Sequence, residues 1–339
     1  MNGRSVSTGD SVPPLLSIIL TGRNDEYGID FRHRFLRTLT FNQRELSARG
    51  ISYEFVFVEW APEPARPLLI DVALDAVPEL GGGATFRGIV VDRRYQEALS
   101  LNPRLQYLEF IAKNVGIRRA AGDYVLTTNC DVFFGRRVLE VFERRALQPR
   151  VIYRAPRYDL KMAVDSSRLD WELLEDSRNL DRPARALKPP FMGGGTGDFL
   201  MLDRASFHAL RGFNEVYRVA RIGVDQNFVI KALSSGMAIR DIGGPVYHLN
   251  HPGSFQLTKE TYKGREGEAP YGSRWHSRSV IYVNPPTWGL ANAPERHTGP
   301  ETSALQFSWT AVPPLVNLRG VVLPLARTGG PHAGRSAEP

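Results

Sequence analysis

The chain has 339 residues, 42% of them hydrophobic and 23% charged, and carries a formal net charge of +7. Its single cysteine, Cys130, excludes an internal disulfide and a zinc site made of cysteines, so a hydrophobic core must hold the fold together. No apolar run approaches the roughly 20 residues that a membrane span needs. The polar first residues lack a signal-peptide pattern, and we therefore expect a cytoplasmic protein.

The basic excess by itself is compatible with several kinds of partner. Only six of the 43 basic residues are lysines, and no stripe of basic and aromatic residues of the kind that reads nucleic acid is visible. The charge is typical of an arginine-rich solvated surface, so we predict no nucleic-acid partner. A phosphate-bearing small molecule, or peripheral contact with an anionic membrane surface, would suit the same charge equally well.

Strands and helices alternate along the first half of the chain. The apolar run 15–21 predicts a buried strand, and a helix follows whose apolar residues from Phe31 to Leu46 share one face until Gly50 ends it. Further strands are predicted over 53–58, 86–91 and 124–128, with a helix over about 106–120. Because parallel strands need crossovers of this length, the pattern predicts an α/β fold with a mostly parallel, Rossmann-like central sheet that binds ligands at the carboxyl ends of its strands.

The second half of the chain is less regular. Strands are predicted over 151–153, 199–202 and 237–242, and a helix over 226–233. The charged stretch 165–185 has little periodicity, which is typical of a lid or a substrate loop. The last residues, 326–339, have the composition of a disordered tail.

Polar side chains follow the first two predicted strands. Thr21, Arg23 and Asp25 come directly after the first strand, where they could hold a nucleotide base or phosphate, although a simple turn explains them as well. Glu59 ends the second strand, and its carboxylate could accept a hydrogen bond from a base N–H or a ribose hydroxyl. These four residues are therefore candidates for nucleotide binding.

A second group of candidates surrounds the strand over 124–128. Lys113, Asn114 and Arg118 lie on the preceding helix, and Asn129 and Asp131 follow the strand. The basic residues have a simple alternative interpretation as surface charges of the helix. These residues are nevertheless on the side of the helix that leads into the strand, and a diphosphate would bind at the carboxyl end of that strand.

The order of these motifs resembles the glycosyltransferases of the GT-A fold, family 2 in particular. The matching segments are Lys113-Asn114-Val115-Gly116, then Gly122-Asp123, a strand, and Asn129-Cys130-Asp131, and the resemblance covers about residues 15–253. It implies that Asp131 belongs to the Asp-x-Asp metal motif of the family, in which Asn129 replaces the first acid. It also implies that Lys113, Asn114, Arg118 and Asn129 contribute to binding the nucleotide-sugar donor.

The resemblance continues downstream, with a galactosyltransferase-like C-terminal half. A glycine-rich turn ends in Gly197-Asp198 and is followed by Gly212-Phe213-Asn214-Glu215, Gly223-Val224-Asp225 and His248-Leu249-Asn250-His251. It implies that Gly197 and Asp198 approach a sugar, that Asp225 is the catalytic base, and that a histidine binds the metal. Val224 departs from the family pattern, which has an acid before the base. Asp225 also has a purely structural interpretation, as the N-cap of the helix that follows it.

A metal ion fits the chemistry of such a reaction. The leaving nucleotide diphosphate carries charge that Mn²⁺ or Mg²⁺, held by Asp131, would neutralise. An imidazole from His248 or His251 would favour Mn²⁺, and His248 ranks slightly higher because it ends an apolar strand. With one acid lost at Asn129, we expect the metal to arrive with the sugar nucleotide. Cys130 should point away from its neighbours and be packed rather than bind metal.

The sequence therefore predicts a metal-dependent glycosyltransferase of the hexosyltransferase class. The donor would be a nucleotide-diphosphate sugar, UDP-linked by preference, and the acceptor a hydroxyl of a carbohydrate, a lipid-linked molecule or a small molecule. A base at Asp225 predicts inversion. The alternatives are a retaining transferase on the same fold and a catalytically silent carbohydrate-binding module. A sugar-phosphate nucleotidyltransferase is disfavoured because residues 21–25 lack the glycine-rich, arginine-containing loop of those enzymes.

The same resemblance divides the chain. We expect a flexible leader over 1–14, a catalytic domain over 15–253, a C-terminal extension over 254–325 that packs on this domain, and the tail. Within the catalytic domain, residues 15–131 would bind the nucleotide sugar and 132–253 the acceptor. Acceptor choice is expected in 156–192 and after 253, where the resemblance fades.

Overall fold

The computed structural model describes residues 12–25, 28–81, 86–103, 105–161, 164, 169–182, 197–218, 223–251 and 281–313. The predicted leader up to residue 11, most of the glycine-rich turn before Gly197, much of the C-terminal extension and the whole tail lie outside these residues. Among the helices of the described part, none combines the length and the apolar character needed to cross a membrane.

The described residues form thirteen strands and eight α-helices. The strands are β1 Leu16–Gly22, β2 Tyr53–Trp60, β3 Phe86–Val91, β4 Tyr124–Thr128, β5 Val132–Phe134, β6 Val151–Arg154, β7 Arg157–Leu160, β8 Leu180–Arg182, β9 Phe199–Asp203, β10 Ala238–Asp241, β11 Val246–Leu249, β12 Glu295–His297 and β13 Thr302–Leu305. The helices are α1 Phe31–Ala48, α2 Leu69–Ala76, α3 Arg93–Leu99, α4 Glu109–Arg119, α5 Arg136–Glu143, α6 Trp171–Glu175, α7 Arg204–Leu210 and α8 Val224–Ser234.

A nine-stranded, mostly parallel sheet forms the centre of the molecule, as predicted. Its order is β10-β6-β9-β4-β1-β2-β3-β13-β12, and β9 runs antiparallel to both of its neighbours. The four strands β4, β1, β2 and β3 are parallel, so their carboxyl ends meet at one edge. The α/β class and every strand and helix predicted from the sequence are confirmed, with ends that differ by a few residues.

Helices cover both faces of this sheet, which explains why β1 has buried apolar residues on both of its faces. All seven of its residues are buried. Ile18 and Leu20 pack with residues of α1, α2 and α5, whereas Ile19 packs on the opposite face with residues of α3, α4, α7 and α8. The described C-terminal segment joins the second face through Trp288 and Leu290, and β13 extends the sheet beside β3.

A second, four-stranded sheet was absent from the sequence-based prediction. Its order is β5-β11-β7-β8, and it begins directly after Asp131. The stretch 165–185, predicted as an irregular loop, contains α6 and β8 in its described part. These strands have only three or four residues, too few for a periodicity of two to be recognised.

Gly116 allows α4 to lie close to the central sheet. A Cβ atom at this position would stand 2.7 Å from Cγ2 of Ile19 on β1 and 3.3 Å from Cγ2 of Val58 on β2. The first distance is shorter than atoms tolerate, so any larger residue would push α4 away from β1. The basic-Asn-x-Gly motif thus contains a packing requirement at its glycine.

We predict that Gly116→Ala lowers the free energy of unfolding by about 1–3 kcal/mol, because overpacking outweighs the better helix propensity of alanine. Urea denaturation measures the change. Gly81→Ala is the control, since its Cβ would meet only the Pro78 carbonyl oxygen, at 3.3 Å, and should cost less than half as much. Equal stability of Gly116→Ala and the wild type would contradict this packing.

Candidate functional site

Asp131 lies at the carboxyl end of β4, in the short connection to β5, and two histidines converge on it. His248 is opposite Val132 in the antiparallel pair of β5 and β11, and the backbone N–H of Leu249 donates to the Asp131 carbonyl oxygen at 2.9 Å. His248 Nε2 is 3.5 Å from Asp131 Oδ1, and His251 Nε2 is 3.4 Å from Asp131 Oδ2. All three side chains are buried.

These three residues form a group that could hold a metal ion. One ligand atom from each lies within 4.8 Å of the other two. One carboxylate oxygen and two imidazole nitrogens suit Mn²⁺ or another divalent first-row metal better than Mg²⁺, which prefers oxygen ligands throughout. The chemistry of the donor set therefore fits the metal expected from the sequence, and both histidines, between which the sequence did not decide, belong to the group.

The electrostatics of the group are those of a buried anion surrounded by cations. Burial alone would raise the pKa of Asp131, but His248 above all, with His251 and Arg34, outweighs burial and holds that pKa well below its usual range. Burial would lower the pKa of His248, yet Asp131 and Asp159 raise it to about 9. Asp131 is therefore ionised at neutral pH and is available as a ligand.

Arg34 of α1 closes the group on one side. Its Nε is 3.4 Å from Asp131 Oδ2, and its Nη1 donates to the carbonyl oxygens of Gly28, at 3.0 Å, and of Ile29. Gly28 has a φ of +69°, and a side chain there would collide with the His251 imidazole. The connection between β1 and α1 therefore packs directly against the histidine.

Cys130 is packed, as predicted. Only 3% of the residue is exposed, and its Sγ donates to the Thr21 carbonyl oxygen at 3.3 Å. Burial raises the pKa of the thiol well above its ordinary value. Although Cys130 is in the turn between β4 and β5, its side chain belongs to the core cluster that contains Leu16, Ile18 and Leu20 of β1.

A second polar group lies beside the first and contains four of the predicted site residues. Lys113 Nζ donates to Asn129 Oδ1 and to the Gly197 carbonyl oxygen, both at 3.2 Å. Asn129 Nδ2 donates to Asp198 Oδ1 at 2.7 Å. Helix α4, the end of β4 and the start of β9 thus meet through Lys113, Asn129, Gly197 and Asp198.

Asp225 borders this second group. A Cβ atom on Gly197 would stand 3.8 Å from Asp225 Oδ2. Burial raises the pKa of the Asp225 carboxyl group, while the N–H of Gln226 and the charges of Arg154 and Lys113 oppose the shift. The interpretation of Asp225 as a helix N-cap is wrong, because α8 begins at Val224 and Gly223 occupies the N-cap.

Three predicted nucleotide-binding residues serve the fold instead. Glu59 is fully buried and accepts from the N–H groups of Leu69 and Ile70, at 2.8 and 3.1 Å, so it anchors the start of α2. Asn114 is buried and binds both the N–H and the carbonyl oxygen of Phe213. Arg118 donates to the carbonyl oxygens of Pro286 and Trp288, on the side of α4 that faces the C-terminal segment.

Arg23 and Asp25 form a separate charged cluster at the carboxyl edge of the sheet. Arg23 Nε is 3.0 Å from Asp25 Oδ2, and its Nη2 is 3.1 Å from Glu63 Oε1, which follows β2. Glu63 also pairs with Arg93, which follows β3. Thr21 precedes this cluster and is itself buried. Thr21, Arg23 and Asp25 lie at or just beyond the end of β1, as predicted.

No family model matches the chain, and no curated protein matches its sequence. One similar solved structure is the catalytic domain of Drosophila β1,4-galactosyltransferase 7 in complex with xylobiose, with 11% identity, 88% of this chain and 96% of that domain covered, and a TM-score of 0.39. Another is a putative glucose-1-phosphate thymidylyltransferase from Bacillus anthracis in complex with sucrose, with 11% identity, coverage of 77% and 98%, and a TM-score of 0.42. Likeness at this identity concerns the fold alone.

Four residues of the site were absent from the sequence-based prediction: Arg34, Arg154, Arg157 and Asp159. Asp159 Oδ1 is 3.0 Å from His248 Nδ1, and Arg157 contacts both Asp159 and Asp198. Arg154, at the end of β6, is fully buried and interacts electrostatically with Asp225 and Asp198. The alternation Arg157-Tyr158-Asp159 was the available signal, since charged residues two apart share one face of a strand.

We predict that Asp131→Asn weakens Mn²⁺ binding by at least about 100-fold, since changes to outer partners of metal ligands alone cost 10–100-fold. Isothermal titration with Mn²⁺, with and without UDP, measures the affinity. Cys130→Ala, at the neighbouring position, should bind within about threefold of the wild type because its thiol faces the core. Loss of binding in both variants would point to a collapsed loop rather than a lost ligand.

Proposed function

We propose that this protein is a nucleotide-sugar enzyme, specifically a metal-dependent glycosyltransferase that acts on a UDP-linked donor with inversion. The observation that carries the proposal is the convergence of Asp131, His248 and His251 at the carboxyl end of β4. The second polar group lies next to them, and Asp225 borders that group. An ion-binding group near a half-buried carboxylate suits transfer to a hydroxyl, because the ion neutralises the leaving group and the carboxylate can take the proton.

The metal group would define the donor side. Asp131, His248 and His251 are the residues that would hold Mn²⁺, whose charge would neutralise that of a diphosphate leaving group. Arg34 adds the positive charge of its guanidinium group beside the Asp131 carboxylate. The side chains of the Arg23 cluster, further along the same edge of the sheet, remain our candidates for contact with the nucleotide.

Asp225 would define the acceptor side. Its carboxyl group stands in the first turn of α8, where the helix dipole favours the ionised form and opposes the effect of burial. A carboxylate with a raised pKa is a stronger base than one in water, so it is better suited to take the proton of an acceptor hydroxyl. Arg154 keeps a positive charge near this carboxylate and fixes its surroundings.

We propose the acceptor by its chemical class. We infer a hydroxyl of a carbohydrate, of a lipid-linked molecule or of a small molecule, and peripheral membrane contact would accompany the lipid-linked case. A donor screen with UDP-sugars and Mn²⁺, read as UDP release, is the first test. Saccharide binding that depends on neither nucleotide nor metal would instead favour a catalytically silent carbohydrate-binding module, the interpretation suggested by Asn129.

We predict that Asp225→Asn lowers kcat by about 10²–10⁴-fold, because the amide accepts no proton from the hydroxyl. Sugar transfer and UDP binding are measured on the same preparation, and UDP affinity should stay within about threefold of the wild type. Asp170→Asn is the matched control, since Asp170 caps α6 at the surface. Full activity in Asp225→Asn would refute the role of this residue as base.

The pH dependence of transfer follows from the same carboxyl group. Its pKa is raised by burial, so the proton is retained to a higher pH than in an exposed aspartate. We predict that kcat/KM is highest above this raised pKa and falls as the pH drops through it. The acidic limb of the profile should therefore lie above the ordinary aspartate pKa of about 4, and it should disappear from the residual activity of Asp225→Asn.

A further inference from the structure

A chain of charged side chains extends from His248 away from the metal group. Asp159 Oδ1 is 3.0 Å from His248 Nδ1. The Arg157 guanidinium binds both oxygens of Asp159, with Nε 2.9 Å from Oδ1 and Nη2 3.3 Å from Oδ2. Its third nitrogen, Nη1, is 2.9 Å from Asp198 Oδ2. One guanidinium therefore joins the carboxylate of Asp159, on β7 of the second sheet, to that of Asp198, in the turn that precedes β9 of the central sheet.

The register of the second sheet explains this alignment. Strands β7 and β11 are parallel, with Asp159 directly opposite His248 and Arg157 opposite Val246. Opposite residues of neighbouring strands lie on the same face, and residues two apart on one strand share that face. Arg157, Asp159 and His248 therefore lie on one face of the regular pair of β7 and β11.

The contact between Asp159 and His248 fixes the orientation of the imidazole. With the Nδ1 proton donated to Asp159, loss of the second ring proton would leave the lone pair of His248 on Nε2, which is 3.5 Å from Asp131 Oδ1. A carboxylate behind a histidine ligand sets its tautomer and increases its basicity in metalloproteins generally. Burying Asp159 and Asp198 costs free energy that apolar residues would avoid, so a local requirement must justify them.

We propose that Asp159 and Arg157 are positioning residues of the metal centre. Asp159 holds His248 with Nε2 towards Asp131, and Arg157 fixes Asp159 while tying it to Asp198, on the acceptor side of the site. The proposal rests on the proposed function only in taking Asp131, His248 and His251 as metal ligands. It concerns metal affinity and ligand geometry, which are measurable without any transfer of sugar.

The link through Arg157 reaches the second polar group. Asp198 accepts hydrogen bonds from Arg157 on Oδ2 and from Asn129 on Oδ1. Asn129 in turn accepts one from Lys113. A change at Arg157 therefore acts in two directions, on Asp159 and on Asp198. We expect its effect on metal affinity to be smaller than that of a change at Asp159, because Asp159 touches the ligand itself.

The test is a titration of the full chain with Mn²⁺ in the presence of saturating UDP. Electron paramagnetic resonance measures the free Mn²⁺ at each point of the titration. We expect Asp159→Asn to weaken Mn²⁺ binding by about 10–100-fold and Arg157→Gln by about 3–10-fold. The absorption spectrum of the Co²⁺-loaded protein should change in Asp159→Asn even at saturating metal, which a purely structural role would leave unchanged. Asp159→Glu should restore part of the affinity because it keeps the carboxylate.

The chain offers a matched control in Asp176 and Arg178. These residues are also two apart and ion-paired, with Arg178 Nη2 2.7 Å from Asp176 Oδ2, but they lie at the surface away from His248. Asp176→Asn and Arg178→Gln should leave Mn²⁺ affinity within about twofold of the wild type. Thermal unfolding of every variant separates lost affinity from lost structure.

The outcomes distinguish this inference from the proposed function. Mn²⁺ affinity and a Co²⁺ spectrum in folded Asp159→Asn that equal those of the wild type would overturn the positioning role, whether or not sugar is transferred. Affinity that depends on Asp159 in a protein that transfers no sugar would support the positioning role and count against the glycosyltransferase. If Asp159→Asn unfolds, the other two variants decide the outcome. Wild-type Mn²⁺ affinity in Arg157→Gln, together with no recovery of Mn²⁺ affinity in Asp159→Glu, overturns the proposal. Weakened affinity in Arg157→Gln, together with partial recovery in Asp159→Glu, supports it.

Discussion

The ionised carboxylate of Asp131 sets the main physical constraint in this structure. A buried anion is tolerated only beside positive charge, and here that charge comes from Arg34 and from the pair His248 and His251, which belong to two distant parts of the chain. Each must be delivered by its own element: α1 for Arg34, β11 for His248 and the residues after β11 for His251. A divalent cation would meet the same electrostatic need, so stability of this region and ion binding depend on the same carboxylate.

The second sheet holds these elements in place. Strand β11 lies between β5 and β7, so His248 has Asp131 on one side and Asp159 on the other. Because β11 is an inner strand of this sheet, the His248 imidazole has little freedom to rotate. The nine-stranded sheet contributes the other half of the arrangement, because β4 ends immediately before Asn129 and Asp131 and β9 begins immediately after Asp198.

Asn129 makes two contacts that together need an amide rather than a carboxylate. Its amide accepts from Lys113 through Oδ1 and donates to Asp198 through Nδ2. An aspartate at this position would accept from Lys113 equally well but would repel the Asp198 carboxylate. The amide therefore joins α4 to the start of β9, and the second polar group exists because this position is uncharged.

The sequence by itself determined the α/β class and seven of the nine strands of the central sheet, because apolar runs are local signals. Its resemblance to a known family indicated Asp131, with His248 or His251, as candidate metal ligands. Only the tertiary structure decided which polar residues act together. Glu59 and Asn114 have motif positions suited to a ligand, yet backbone groups of α2 and of Phe213 occupy them. Arg34, Arg157 and Asp159 join the site through strand register and helix packing, which bring together residues far apart in the chain. The alternation Arg157-Tyr158-Asp159 places two of them on one face of a strand, but a single sequence carries no signal of what that face contacts.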